Sequence, residues 1–361
     1  MKIKIAIIFG GKSSEHEISL NSATNIFNAI DKDKFDVILL GIDKKGKWKF
    51  HTDYQKENIS LTTNDYFQNP IPVFIDNVND KISIIDKNNG KVLETFDVAF
   101  SIIHGTFGED GTLQGFFKSL NIPFVGPDIL GSAICMDKDV TKRLLRDNNI
   151  PIADFITLNK FETKNVDFET AKEKLGLPMF VKPSNGGSSV GVSKVVDKAT
   201  FESAVNTAFK FDNKILIEEG IIGKEVECAI LGNEEPICSI IGEIIPTKDF
   251  YSYEAKYQDA DGARMKIPAE INIEVSENLR KTALKAFLTV CCEGLARVDF
   301  FLRDDNTFVL NEINTLPGFT EISMYPKLWE QTGISYPDLI SKLIELAIER
   351  HNRNNELQTI K

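Results

Sequence analysis

No stretch of this 361-residue chain approaches the roughly 20 consecutive apolar residues that a membrane-spanning helix requires. Histidine is scarce, with four scattered residues, which leaves no basis for a histidine-rich zinc site. The five cysteines (Cys135, Cys228, Cys238, Cys291, Cys292) have neither metal-ligand spacing nor the density of a disulfide framework, and read as reduced thiols on small buried side chains. Basic residues are in deficit, 42 against 53 acidic ones, for a formal charge of −11. Displacing phosphate counterions takes basic surface, so general nucleic-acid binding is not expected. A small anion is a different matter, because a pocket can be locally positive inside an acidic protein. The N-terminus runs straight into a strand pattern without the apolar segment and cleavage site of a secretory signal, so the cytoplasm is the expected location and no membrane partner is expected. Internal repeats and low-complexity tails are absent as well.

What is present is an ordinary globular composition, 42% hydrophobic and 26% charged, in a chain long enough for two or three domains. The first third alternates strand and helix signals. A strand at Ile3–Phe9 leads to a helix whose Ala23, Ile26, Phe27 and Ile30 recur at helical spacing; apolar strands follow at Phe35–Ile42 and Val98–Ile103. This rhythm predicts a parallel sheet covered by helices. Residues 51–95 read as a polar, decorated insertion in which Ile71–Ile75 and Ile82–Ile85 form a hairpin. Further on, Asp137 caps a helix starting at Lys138, limited by Pro151. Then come strands at Met179–Lys182 and Ile215–Glu218 flanking a helix near 199–210. The last third predicts strands at Val226–Leu231, Ile237–Ile245, Leu295–Leu302 and Phe308–Ile313, with helices near 275–292 and 335–350.

Three features carry chemistry. On the strand Leu295–Leu302, Arg297 and Asp299 share a face; on the next strand Glu312 and Asn314 share a face. A turn at Arg303–Thr307 sets the two strands side by side, so that Asp299, Glu312 and Asn314 converge as hard oxygen ligands suited to Mg²⁺ with substrate phosphates. The alternative is a solvated, salt-bridged strand face, but Asp and Asn are poor strand formers and need another reason to be there. The second feature is the loop Lys182-Pro-Ser-Asn-Gly-Gly-Ser188-Ser189-Val-Gly191, where glycines let backbone N–H groups approach a phosphate and Lys182 adds charge. A plain hairpin loop is its alternative. Thirdly, Glu218, Glu219 and Glu225 could accept hydrogen bonds from an adenine amino group or ribose hydroxyls, or could simply be surface carboxylates. Gly11-Lys12-Ser13 mimics the end of a Walker A loop, yet the required first glycine falls at Ala6, so it is not one.

Several strings in order resemble the ATP-grasp superfamily and, within it, the D-alanine–D-alanine ligase family. They are Phe9-Gly-Gly-Lys-Ser-Ser-Glu15-His-Glu-Ile-Ser19, His104-Gly-Thr-Phe-Gly-Glu109-Asp-Gly-Thr-Leu-Gln114-Gly, Met136-Asp-Lys138, the loop from Lys182, Tyr251-Ser-Tyr-Glu-Ala-Lys256-Tyr257, Arg297-Val-Asp299, and Asn311-Glu312-Ile-Asn314-Thr-Leu-Pro317-Gly318. The resemblance spans nearly the whole chain. It implies a three-domain α/β ATP-grasp fold, with domains 1–126 (parallel-sheet, substrate), 127–220 (central) and 221–361 (C-terminal, with metal and acceptor site), and ATP between the last two. It implies formation of D-alanyl-D-alanine for peptidoglycan through an acyl phosphate, with ATP and two Mg²⁺ or Mn²⁺ ions, in a homodimer. Residue by residue, Lys138, Lys182 and Lys256 correspond to lysines on the ATP phosphates, and Ser189 to a loop donor. Glu218, Glu219, Ile221 and Glu225 correspond to the adenine and ribose contacts, and Asp299, Glu312 and Asn314 to the metal ligands. Glu15 matches the acid that holds the first substrate's ammonium, in a hydrogen-bonded trio with Ser188 and Tyr257. Arg297 and the Gly318 N–H match the oxyanion donors, while His104, Ser323 and Met324 match substrate-side positions.

Relatives that use D-lactate usually alter the segment that here reads Glu254-Ala-Lys256-Tyr257, so D-alanine is the expected acceptor and D-lactate or D-serine the alternative. Two rivals are an ATP-grasp ligase for another substrate, which would lack the Glu15 and Tyr257 strings, and a non-catalytic nucleotide-binding module, which would lack Arg297 or the metal ligands.

Overall fold

The computed structural model describes residues 2–52, 59–162, 167–246, 263–320 and 322–358. Among these residues the strands form three sheets of seven, four and six strands.

In the N-terminal sheet Ile3–Gly10 lies between Phe35–Ile42 and Val98–Ser101, parallel to both. Ile5 through Phe9 are all completely buried, as expected of a parallel strand covered on both faces. Beyond Phe35–Ile42 the sheet continues through Trp48–Phe50, Ile71–Val78, Lys81–Asp86 and Val92–Phe96, all antiparallel. The hairpin between Ile71–Val78 and Lys81–Asp86 turns on Asn79 and Asp80, both left-handed (φ 52° and 60°), the geometry of a two-residue turn that matches strand twist. The expectation of a parallel sheet with a separate insertion is therefore corrected. The short turns at 43–47, 79–80 and 87–91 permit only antiparallel pairing, and the supposed insertion, with its expected hairpin in place, becomes the far half of one mixed sheet.

The central sheet is antiparallel, in the order Ser193–Val195, Met179–Pro183, Lys214–Glu219, Phe155–Asn159. Helices Phe168–Leu175 and Lys198–Ala208 cover it, burying Phe168, Ala171, Phe201 and Ala204 against Val181 and Ile217. The helix Lys138–Asp147 starts as expected, with the Asp137 carboxylate accepting the Val140 N–H at 3.2 Å.

The C-terminal sheet runs Ala263–Lys266, Gly242–Pro246, Lys224–Gly232, Gly294–Leu302, Phe308–Asn314, with Ile237–Cys238 also paired to Lys224–Gly232. The single strand expected over Ile237–Ile245 is thus two strands. The Ala229 N–H donates to the Ser239 hydroxyl (2.9 Å), which interrupts the ladder. Helix Ile273–Thr289 packs a stripe of Val275, Leu279, Ala283 and Phe287 on one face of this sheet.

Two C-terminal helices, Met324–Thr332 and Tyr336–Asn355, fill the space between the first and third sheets. Trp329, Tyr325, Leu339 and Leu343 share one core with Ile5, Ile7, Phe9 and Ala23. Buried Arg350 closes this junction. It donates to the Phe124 carbonyl (2.7 Å) and to that of Gly126, with its guanidinium 4.5 Å from the Phe124 ring centre. All five cysteines are free thiols; Cys135 is half-buried and Cys291 exposed, which corrects the expectation of five buried ones. Among the described residues no helix is long and apolar enough to cross a membrane.

Replacing Arg350 with Met leaves two buried carbonyls without donors at this junction. The variant should lose about 3 kcal/mol of stability, the scale of a broken buried charged contact, read as a lower urea midpoint. An unchanged midpoint would show that the C-terminal helix docks without it.

Candidate active site

The carboxyl ends of the parallel strands in the N-terminal sheet deliver Glu15 and His104 to one place. Ser19, on the helix His16–Ala29, clamps them: it accepts the Gly10 N–H (2.8 Å) and donates to the Ile102 carbonyl (2.5 Å). Glu15 begins that helix and is only 7% exposed. His104 is buried too, and burial holds its pKa below the usual histidine range against the opposing pull of Glu15 and its own hydrogen bond. Its Nδ1 lies 3.0 Å from the Leu316 carbonyl, an atom that can only accept, so the proton is on Nδ1. Nε2, 3.3 Å from the Ser22 hydroxyl, is then an acceptor. The Nδ1–Leu316 bond ties the N-terminal sheet to the turn that carries Gly318. Gly105 follows with φ +76°, and a Cβ there would stand 2.8 Å from Glu15 Oε2. Only glycine lets the backbone pass so close to that carboxylate.

Glu109 was quoted in its motif but given no role by sequence reasoning. Its carboxylate accepts the Gly105 N–H at 2.6 Å and lies 4.0 Å from His104. Burial first, and then the charge of Glu15, push its pKa up to about 8. A single sequence shows an acid beside a glycine turn, not that the acid is buried.

The C-terminal sheet brings four polar residues to one face. Arg297 stands opposite Asn314, and Asp299 opposite Glu312. An irregularity between Asp299 and Phe300 takes up Asn311 and preserves that register. Arg297 grips Asp299 with both arms, Nε to Oδ1 at 2.8 Å and Nη2 to Oδ2 at 2.7 Å, while Glu227 Oε2 lies 3.0 Å from Nε. Although burial opposes it, the neighbouring Asp299 and Glu227 carboxylates hold the guanidinium firmly charged. Asn314 Nδ2–H also donates to Asp299 (3.0 Å). Asp299, Glu312 and Asn314 stand on one face of neighbouring strands, with Glu227 opposite Asp299, and their carboxylate and amide oxygens are hard donors of the kind a divalent cation takes. Among the described residues no group of three His, Cys, Asp or Glu side chains is placed to hold a metal ion. Arg297 Nη1 makes no hydrogen bond among the described residues.

Between the central and C-terminal sheets lies a cavity of about 550 Å³, lined by Lys138, Lys182, Ser189, Glu219, Ile221 and Glu225 among others. That size suits a nucleotide-scale ligand. Lys138 donates to the Gly186 carbonyl, and its own N–H donates to the Ser184 carbonyl (3.0 Å), so the helix start and the loop are joined. Asp212 accepts both the N–H and the side-chain amide of Asn185 (2.7 and 3.0 Å). Ser188 and Ser189 are both left-handed (φ 54° and 59°). Ser188 Oγ–H donates to Glu15 Oε1 at 2.5 Å, so the loop of the second sheet reaches the carboxylate of the first. Glu218 is buried between two lysines, Lys142 at 2.7 Å and Lys182 on its other oxygen. Lys142 carried no signal in the sequence. Lys194, on the cavity wall, was also missed.

Gly318 is forced to be small, since a Cβ there would lie 2.9 Å from Ser323 Oγ. Ser323 Oγ accepts the Thr320 N–H (3.0 Å) at the start of helix Met324–Thr332. The Met324 side chain is buried in the core, so only its main chain can face a ligand. Lys256 and Tyr257 lie outside the described residues.

Sequence profiles described as the D-ala D-ala ligase N-terminus and C-terminus match residues 4–127 and 144–345. A D-alanine–D-alanine ligase from Oceanobacillus iheyensis is 53% identical over 99% of both chains. The chain belongs to the D-alanine–D-alanine ligase family. D-alanine–D-alanine ligase A of Escherichia coli K12 is likewise 53% identical over 99% of each chain. The solved D-alanine-D-alanine ligase from Coxiella burnetii superposes with a TM-score of 0.85 at 36% identity, over 98% of this chain and 96% of that one. VanG D-Ala:D-Ser ligase from Enterococcus faecalis gives 0.86 at 35% identity, over 96% and 100%. These relatives bear out the ATP-grasp fold expected from the sequence.

Glu109 ties this site to pH. Its folded pKa of about 8 exceeds the ordinary 4.5, so as pH rises between those values the unfolded chain ionises first and the folded state loses stability. In the metal-free protein Glu109→Gln should match the wild type at the acid end, then become progressively more stable than it up to about pH 8, and differ by a constant amount above. Urea midpoints measured across that range, parallel for both proteins, would sink the assignment.

Proposed function

We propose that this chain joins two D-alanine molecules to D-alanyl-D-alanine at the expense of ATP, through an acyl phosphate, as a step in peptidoglycan precursor synthesis. The supporting observation is the Ser188–Glu15 hydrogen bond, which closes the phosphate loop onto the carboxylate at the amino-acid end of the cleft. Nucleotide chemistry and amino-acid binding are thereby joined in one cleft, over a chain that matches ligases of this kind from end to end.

In this reading Lys138 and Lys182 hold the ATP phosphates, with Lys256 as a third, and Ser189 adds a loop donor. Glu218 and Glu225 accept from the adenine and ribose, while the backbone at Glu219 and Ile221 follows the adenine edge. Glu15 receives the ammonium of the first D-alanine, positioned by Ser188 and Tyr257, and His104 supports the same substrate. The first carboxylate attacks the γ-phosphorus, forming a C–O–P linkage and releasing ADP. The amine of the second D-alanine then attacks the acyl carbon, phosphate leaves with the C–O electron pair, and the nitrogen gives up one proton as the amide forms. The oxyanion formed between these events meets Arg297 Nη1 and the Gly318 N–H, fixed donors aimed at developing charge. Ser323 and the Met324 N–H, at a helix start, take the second carboxylate. Two divalent ions, Mg²⁺ or Mn²⁺, held by Asp299, Glu312 and Asn314, would neutralise phosphate charge. We assign domains at 1–126, 127–220 and 221–361, a cytoplasmic setting and a homodimer.

The D-Ala:D-Ser ligase aligns about as well in fold as the D-alanine ligase from Coxiella, so the fold leaves the acceptor open. The 53% identity to D-alanine ligases favours D-alanine. With ATP, D-alanine and an excess of D-lactate or D-serine near neutral pH, the dipeptide D-alanyl-D-alanine should dominate. A depsipeptide or a D-serine product in the majority would overturn that choice, and ATP turnover with L-amino acids alone would overturn the function.

Arg297→Lys keeps the charge beside Asp299 but loses the forked donor set. Its kcat should fall about 100-fold or more, the scale of an oxyanion donor, with the unfolding midpoint little changed. Turnover at the wild-type rate would remove Arg297 from the chemistry.

A further inference from the structure

Lys142 is 1% exposed, an unusual place for an ammonium group. It lies one helical turn after Lys138 on the helix Lys138–Asp147, yet it does not line the cavity that Lys138 lines. Its Nζ is 2.7 Å from Glu218 Oε1, with the Phe155 ring centre 5.8 Å away. Lys182, which does line the cavity, pairs with the second oxygen of the same carboxylate. Glu218 therefore has one cation in front of it, on the ligand side, and one behind. Burial acts to raise the Glu218 pKa, but Lys142 and Lys182 outweigh it and hold the acid below the usual carboxylate range.

The two lysines are not equivalent. Lys182 opens the phosphate loop and lines the cavity, so on the nucleotide reading entering phosphates would draw it towards them. Lys142 cannot follow. Its helix is pinned by the Asp137 cap, by the Lys138 N–H on the Ser184 carbonyl, and by Lys214, whose ammonium lies 2.6 Å from Asp137. If Lys182 were the sole partner, its departure would strand a buried charge, which is strongly unfavourable.

We propose that Lys142 is a positioning residue acting through Glu218: a fixed counter-charge that keeps the carboxylate in place as an acceptor for the adenine amino group while Lys182 is released to the phosphates. This rests on the nucleotide reading of the cavity given above. It also gives the helix two tasks, with Lys138 at the phosphates and Lys142 behind the base-side acid.

The distinction between the lysines sets the test. A ligand without phosphates leaves Lys182 on Glu218, so it should not need Lys142. Dissociation constants for ADP and for adenosine are measured calorimetrically on the wild type, Lys142→Met and Lys142→Arg. For Lys142→Met, ADP binding should weaken about tenfold or more, a free-energy step of about 1.4 kcal/mol, with adenosine binding changed far less. Lys142→Arg should recover most of the ADP affinity. Equal losses for ADP and adenosine, or no loss, would overturn the role of Lys142 while leaving the function standing. A wild type that binds neither would overturn the nucleotide reading itself. Should Lys142→Met fail to fold, Glu218→Gln is compared with the double variant Glu218→Gln/Lys142→Met. With no carboxylate to hold, removing Lys142 should cost no further ADP affinity, and another tenfold loss would refute the proposal.

Discussion

A carboxylate taken out of water must find a positive charge, a set of hydrogen-bond donors, or a proton. The cleft of this chain crowds Glu15, Glu109, Glu218, Glu227 and Asp299 into its walls, all little exposed, and each is compensated differently. Asp299 and Glu227 share the guanidinium of Arg297. Glu218 is held between Lys142 and Lys182. Glu15 takes a hydroxyl donor from a loop of another sheet. Glu109 keeps its proton until about pH 8. The solutions for Glu227, Glu218 and Glu15 draw in residues far away in the chain, and the Glu15–Ser188 bond also joins the first sheet to the loop of the second.

That balance suits acyl transfer through phosphate. The reaction brings a highly charged nucleotide against two amino acids, and the dry site that protects an acyl phosphate also makes charge costly. The Arg297 fork shows how both demands are met. Two of its arms neutralise a buried acid, and the third points onward without a partner among the described residues. The phosphate loop meets them differently. Two consecutive non-glycine residues in left-handed backbone cost about 1–3 kcal/mol each. The bonds from Ser188 to Glu15 and from Asn185 to Asp212 offset that cost. Loop shape and the Glu15 carboxylate are thus coupled.

Legibility in the sequence followed a simple physical line. Alternation along Leu295–Leu302 and Phe308–Ile313 says which side chains share a face, and the structure does set Arg297 with Asn314 and Asp299 with Glu312 on one face. The cap at Asp137 and the hairpin at Asn79-Asp80 were readable because they depend on neighbours within four residues. The break at Ser239 was not, since it depends on a hydroxyl meeting Ala229 in another strand. Nor was the pairing of that hairpin with Trp48–Phe50 and Val92–Phe96 into the first sheet, where local polarity masked a pairing made edge to edge.

By itself the sequence determined the element types, the faces of the strands, the order of the motifs and, through their resemblance, the family. Those properties follow from short-range periodicity and from residue chemistry that a chain carries even when unfolded. The tertiary structure alone decided which charges meet. It put Lys142 behind Glu218, gave Glu109 its proton, and brought Ser188 to Glu15. Burial and electrostatic pairing depend on neighbours brought together from distant parts of the chain, and they come into being only when the three sheets close on one cleft.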